Sequence, residues 1–273
     1  MERIKQAIAK ASKISPAVPA SRDNFAGQVK RQEPDAPQQD AALNDIATIV
    51  LDKASLKTER IVAFDARDPK CASFDMLRTR VAQVMRQHNW RTIAITSPNP
   101  RTGKTTTAIN LALSLARLHE SKTVLVDFDL RNPTIAKYLK IGNQYDIADI
   151  INERIKLNDI TVKTDIEDLY ILSSRRPVSY SSELIGSPLT SRFIERLKSE
   201  FSDAFIVFDL PPMLVADDAL SLLPYIDCML LVAAVHETQM ADLQECENKL
   251  ENANYLGVVL NKVLGGSKDY KYY

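Results

Sequence analysis

The chemistry-bearing residues of this chain begin with Gly103, Lys104 and Thr105, which close the stretch Thr92-Ile-Ala-Ile-Thr-Ser-Pro-Asn-Pro-Arg-Thr-Gly-Lys-Thr-Thr-Thr-Ala. A β-branched run, a Pro/Asn turn and a helix-forming segment follow one another there, which is strand, loop, helix. A phosphate needs several N–H donors converging on one point, together with a cation. A loop wrapping into a helix amino terminus supplies the donors and the dipole. Residues Arg101, Thr102, Gly103, Lys104, Thr105 and Thr106 form that cradle. Lys104 is placed to contact the β and γ phosphates of ATP, and the Thr105 hydroxyl to ligate Mg²⁺. Pro98 and Arg101 stand where phosphate loops commonly carry glycine; Arg101 costs about 1 kcal/mol if its φ is positive.

Two further apolar runs end in carboxylates. Val124-Leu-Val-Asp-Phe-Asp-Leu-Arg-Asn-Pro brings Asp127 and Asp129, and Phe205-Ile-Val-Phe-Asp-Leu-Pro-Pro brings Asp209. In an open parallel sheet, ligands sit beyond the carboxyl ends of the strands. Thr105, Asp127, Asp129 and Asp209 are therefore expected to converge on one magnesium site with few protein ligands. Asn261 ends the last apolar run, where its amide either reads a purine edge or closes a turn. His88, His119 and His236 have no ligand spacing and read as surface or packed residues, and Trp90 as a core or strand-start residue.

These residues need a scaffold that alternates strand and helix. Strands are predicted at 92–96, 123–128, 169–172, 204–210, 228–235 and 256–260, with helices near 73–88, 104–118, 132–139, 146–153, 188–200, 216–224 and 238–253. Strands apolar throughout and separated by helices imply an α/β fold, a mostly parallel sheet flanked by helices on both faces. Ahead of it, residues 1–40 read as a short amphipathic helix (Ile4, Ala7, Ile8, Ala11) and a disordered linker with Pro16, Pro19, Pro34 and Pro37. Residues 41–72 read as a helical or extended lead-in, helical over 41–57. The domain proper covers 73–264, and 265–273 is a flexible tail.

Composition narrows the class. Thirty-five basic and 35 acidic residues cancel, which argues against nucleic acid as the partner. Residues 1–31 hold seven basic and two acidic side chains, a solvated tail or a weak bias toward an anionic membrane face. Cys71, Cys228 and Cys246 are scattered and read as reduced thiols. No secretory signal is visible, and the longest apolar run, Cys228–Val235, is eight residues, too short to span a bilayer. The expected location is the cytoplasm, with membrane recruitment left to a partner.

Tyr270, Tyr272 and Tyr273 crowd the last four residues behind Gly265-Gly266-Ser267-Lys268-Asp269. A mobile hydroxyl tail near an ATP site is a phosphoryl acceptor, or else an aromatic end that packs on the domain. With the phosphate loop, Asp-Phe-Asp-Leu-Arg-Asn-Pro, Phe-Asp-Leu-Pro-Pro, Ser181-Ser-Glu-Leu-Ile-Gly-Ser-Pro and Leu256-Gly-Val-Val-Leu-Asn, the chain from about residue 73 resembles the bacterial tyrosine autokinases of capsule and exopolysaccharide systems, and its opening residues resemble the stand-alone members. The resemblance implies a P-loop NTPase fold of the partitioning-ATPase group. It implies that Asp127 accepts the tyrosine proton and that Asp129 and Asp209 position magnesium, largely through water. It implies a membrane polysaccharide co-polymerase as activator, a cognate tyrosine phosphatase, and a homo-oligomer. The family's ring-forming Glu-x-x-Arg-x-x-Arg helix reads Ala72, Asp75 and Arg78 here, only the last matching, which leaves ring assembly open. Two other readings stand beside the kinase: an ATP-switched scaffold with little transfer activity, and a positioning ATPase. The second is disfavoured by Asn99, which occupies the place of that group's signature lysine.

Overall fold

The computed structural model describes residues 46–142, 144–251 and 253–263, all within one unit of the chain, Ala41–Tyr273. The amino-terminal helix and linker and the tyrosine tail expected from the sequence lie outside these residues. The chain enters through β1 (Ala47–Ile49), α1 (Lys53–Thr58) and α2 (Cys71–Gln87), then β2 (Thr92–Thr96) and α3 (Lys104–Ala116). Next come β3 (Thr123–Asp127), α4 (Ile135–Leu139), α5 (Ile147–Ile151), α6 (Leu157–Ile160), β4 (Thr161–Thr164) and β5 (Leu169–Leu172). The last third holds α7 (Ser181–Ile185), α8 (Pro188–Glu200), β6 (Phe205–Asp209), α9 (Asp218–Leu222), β7 (Cys228–Ala234), α10 (Met240–Lys249) and β8 (Tyr255–Asn261).

The eight strands form one sheet in the order β1-β4-β5-β3-β6-β2-β7-β8. Every neighbouring pair is parallel except β4 with β5. Successive side chains on a strand face opposite ways, so each central strand feeds two cores. Val124, Val126 and Phe128 pack with Phe208, Phe193, Leu197 and Leu184 beneath α7 and α8. Leu125 packs with Ile93, Ile95, Val207, Val81 and Leu111 beneath α2 and α3. Helices thus cover both faces, as the apolar runs predict.

Two departures from the sequence reading concern the sheet's far edge. Residues 41–57 are not one helix: Ala47–Ile49 is a strand, and only Lys53–Thr58 is helical, started by the Asp52 carboxylate accepting from Ser55 N at 3.1 Å. The β-branched Thr48 and Ile49 find a partner in β4, which local periodicity cannot reveal. β4 itself, Thr-Val-Lys-Thr, has a single apolar residue, lies one strand in from the edge and runs antiparallel to β5, which it reaches through Asp168, whose φ is +61°.

The lead-in is anchored on the phosphate-loop helix. Asn110 in α3 is fully buried, and its Oδ1 accepts from Val62 N (2.8 Å) and Ala63 N (2.9 Å). Its Nδ2 donates to Arg60 O and Thr106 O. Asp75 of α2 likewise turns inward: it accepts from Ser114 Oγ at 2.6 Å and pairs with Arg78 and Arg117 at 3.1 and 3.2 Å. Asp75 and Arg78, two of the three positions compared above with a ring-forming motif, are thus tied to the α3 segment of the same chain.

Candidate active site

Strand register brings the acidic residues together. Asp127 is paired with Asp209 across β3 and β6, and Ile95 with Asp209 across β2 and β6. β2 runs directly into the phosphate loop, so its lysine emerges beside both carboxylates. Lys104 Nζ lies 2.8 Å from Asp129 Oδ2 and 3.5 Å from Asp209 Oδ1. Thr105 Oγ1 donates to Asp209 Oδ2 at 2.6 Å. Asp127 Oδ2 accepts from the amides of Thr134 and Ile135, both at 2.9 Å. Of the residues the sequence nominates, Lys104, Thr105, Asp127, Asp129 and Asp209 therefore share one buried cluster at the carboxyl rim.

The loop's backbone explains its residues. Gly103 caps α3 at φ +94°, and a Cβ there would fall 2.1 Å from Asn261 Nδ2. That nitrogen donates to Thr102 O at 2.8 Å, so the amide at the end of β8 clasps the loop. Asn99 Nδ2 donates to Asp242 Oδ2 on α10 at 2.6 Å, a second clasp. Arg101 is exposed at φ +63°, a left-handed conformation costly for a side-chain-bearing residue. Arg101→Gly is expected to raise unfolding free energy by about 0.5–1 kcal/mol, the strain relieved less the extra chain entropy of glycine. Chemical denaturation checks this; a lowered midpoint means the arginine makes a contact worth more than its strain.

Electrostatics follow from burial. Desolvation works to lower the Lys104 ammonium, but Asp209 and Asp129 outweigh it and hold its pKa above the usual lysine value. Burial, reinforced by the charge of Asp209, pushes the Asp127 carboxyl well above the ordinary range, despite the Ile135 amide. Burial also raises Asp209, against the pull of Lys104 and the Thr105 hydroxyl. Asp127 Oδ1 and Asp209 Oδ1 are buried with no hydrogen-bond partner among the described residues. Two acceptor-only oxygens kept dry beside a lysine and a threonine hydroxyl suit a hydrated divalent cation and a nucleotide phosphate.

Other residues fall elsewhere. His88 stacks on half-buried Trp90 at 4.4 Å, and His119 and His236 are exposed. The three cysteines are buried thiols, and burial pushes Cys228 up to about 12. A cavity of about 530 Å³ bounded by Arg86, Trp90, Arg91 and Phe205 lies at the amino ends of the strands, away from Lys104. No described helix is long and apolar enough to cross a membrane. Sequence reasoning missed Thr134, whose amide holds Asp127 from seven residues on, and Asp242, whose partner Asn99 lies 143 residues away.

A mostly parallel sheet with a phosphate loop and rim carboxylates defines a P-loop ATPase, and residues 90–254 match the family model described as an AAA domain. Tyrosine-protein kinase CpsD of Streptococcus pneumoniae serotype 4 is 32% identical over 176 residues, covering 63% of this chain and 76% of the relative. The kinase domain of VpsO aligns with a TM-score of 0.64 at 30% identity, over 71% of this chain and 95% of that one. The chimerical protein CapA2B2 aligns at 0.69 and 25% identity, over 84% and 98%. The chain belongs to the bacterial tyrosine-protein kinases.

Proposed function

We propose that this kinase transfers the γ-phosphoryl group of ATP to tyrosines of its own tail, Tyr270, Tyr272 and Tyr273, and thereby regulates the polymerisation and export of a capsule or exopolysaccharide. The observation that carries the reading is the placement of Lys104 2.8 Å from Asp129 and 3.5 Å from Asp209, with Asp127 paired to Asp209 on the adjacent strand. Phosphoryl transfer asks mainly for positioning and charge neutralisation, and this cluster is built for both.

In the transfer, the tyrosine oxygen bonds to the γ-phosphorus as the bond to the β–γ bridging oxygen breaks and ADP leaves. Asp127 takes the phenolic proton; burial raises its basicity toward that task. Backbone amides of residues 101–106 and the Lys104 ammonium cradle the phosphates, which requires Lys104 to exchange Asp129 for phosphate. Thr105, Asp129 and Asp209 would hold magnesium, whose contribution when bound is to neutralise charge on the β and γ phosphates. One Asn261 N–H serves Thr102; the other is left for a purine acceptor.

The resemblance to capsule and exopolysaccharide autokinases adds to this reading a membrane co-polymerase segment as activating partner, with a cytoplasmic kinase recruited to it. A tyrosine phosphatase to reset the tail belongs to the same reading. A homo-oligomer does too, with contacts away from Asp75 and Arg78, which are engaged with α3. Incubation with Mg-ATP, with and without the partner's cytoplasmic segment, followed by mass analysis of the carboxyl-terminal peptide, tests the proposal. Increments of about 80 Da, one HPO₃ per tyrosine, are expected. If ATP binds and the peptide stays unmodified in every condition, an ATP-switched scaffold takes the kinase's place.

A further inference from the structure

One buried carboxylate at the active rim is unused above. Asp218, the first residue of α9, is 1% exposed. It accepts four hydrogen bonds: from Arg131 Nε at 2.9 Å, Arg131 Nη2 at 3.1 Å, Ser181 Oγ at 3.0 Å and Ser182 Oγ at 2.7 Å. Ser182 Oγ in turn accepts from Arg131 Nη2 at 2.5 Å. Burial alone would raise this carboxyl; the bonds from Arg131, Ser182 and Ser181 outweigh it and hold it below the ordinary range. A two-pronged guanidinium–carboxylate pair fixes direction as well as distance.

What the pair fixes is the turn that carries Asp129. Asn132 N donates to Asp129 O at 3.0 Å and to its Oδ1 at 3.1 Å, closing residues 129–132 with Arg131 inside. Val178 N donates to Leu130 O at 2.8 Å, joining the same turn to the segment that leads into α7. Segments leaving the carboxyl ends of β3, β5 and β6 therefore meet at one carboxylate. A residue needed only to start a five-residue helix would not collect an arginine fork and two serine hydroxyls from elsewhere.

We propose that Asp218 is a positioning residue for phosphoryl transfer, holding Arg131 so that the 129–132 turn keeps Asp129 in the pocket beside Lys104, where magnesium and the phosphates would bind. The inference rests on the kinase reading for its readout. Asp218→Asn keeps the volume and removes the charge; Arg131→Gln breaks the fork from a side chain that is half exposed. In the full chain, each is expected to lower the turnover number for tail phosphorylation about 100-fold, the scale of a small misplacement at a reacting centre. Affinity for a fluorescent ATP analogue stays within about threefold, because the phosphate loop is untouched, and the double variant is no worse than either single, because the two act as a unit. Turnover near wild type in both, or a loss matched by an equal loss of nucleotide affinity and melting temperature, overturns the proposal. If Asp218→Asn does not fold, Arg131→Gln decides. Should the wild type release ADP without modifying its tail, the kinase reading falls and the pair is judged on ADP release; should it do neither, both fall.

Discussion

Lys104→Met is expected to leave the tail unphosphorylated, with transfer at least about 10³-fold slower, on the scale of losing one preorganised donor to developing negative charge and somewhat beyond. Methionine keeps much of the lysine stem but brings neither charge nor donor to the phosphates. The substitution also strands two carboxylates, because Lys104 is the cation that pairs with Asp129 and Asp209. Removing one partner of a buried pair costs about 3–5 kcal/mol unless the survivors protonate. The sign with pH follows: the folded pKa of Lys104 is raised, so its stabilisation is fully present at neutral pH and lost only as pH rises through that value. Without it Asp127 and Asp209, already raised by burial, protonate more readily, so the variant melts well below wild type near pH 8 and regains ground toward pH 5. Tail-peptide mass and thermal melts across that range check both halves. Transfer at wild-type rate would dismiss Lys104 from the chemistry.

Asp127→Asn is expected to separate activity from stability. In its proposed role as proton acceptor, Asp127 would contribute about 10²–10⁴-fold, and its amide replacement should lose that factor. The fold should gain. Asparagine Oδ1 still accepts from Thr134 and Ile135, and one of two facing carboxylates no longer needs to be kept charged. A gain of about 1–2 kcal/mol is in range for relieving a functional conflict. Because the folded-state carboxyl of Asp127 titrates above its ordinary 3.8, the native state binds more protons, and its contribution falls as pH rises through that window. The advantage of the variant over wild type should therefore be small below pH 4 and grow above it. A variant that is both active and no more stable removes Asp127 from its proposed role.

The core of this architecture could be read directly because its signals are local. Each central strand is an apolar run; β3 and β6 end in Asp and β2 leads into the phosphate loop, so the rim cluster followed from strand direction alone. The far edge could not be read that way. Thr161–Thr164 carries Lys163 at its centre and owes its strand to β1 and β5 rather than to its own composition. Asp218 was invisible for a related reason. Beside Asp217 it looks like a helix start, and its partners Arg131, Ser181 and Ser182 lie 87, 37 and 36 residues away. The cost of Arg101 was visible in outline, since the loop needs a left-handed turn somewhere, and the structure puts it at that residue.

The clasp between Asn261 and Thr102 has a kinetic consequence. The segment that bears the tyrosines departs two residues after a side chain already touching the phosphate loop. Seven residue steps lead from Val263 to Tyr270, a reach of at most about 25 Å for any conformation. An acceptor on so short a leash is held at an effective concentration in the millimolar range. On the proposed reading, an acceptor tethered this way would leave turnover to be set by the transfer step and by release of the modified tail.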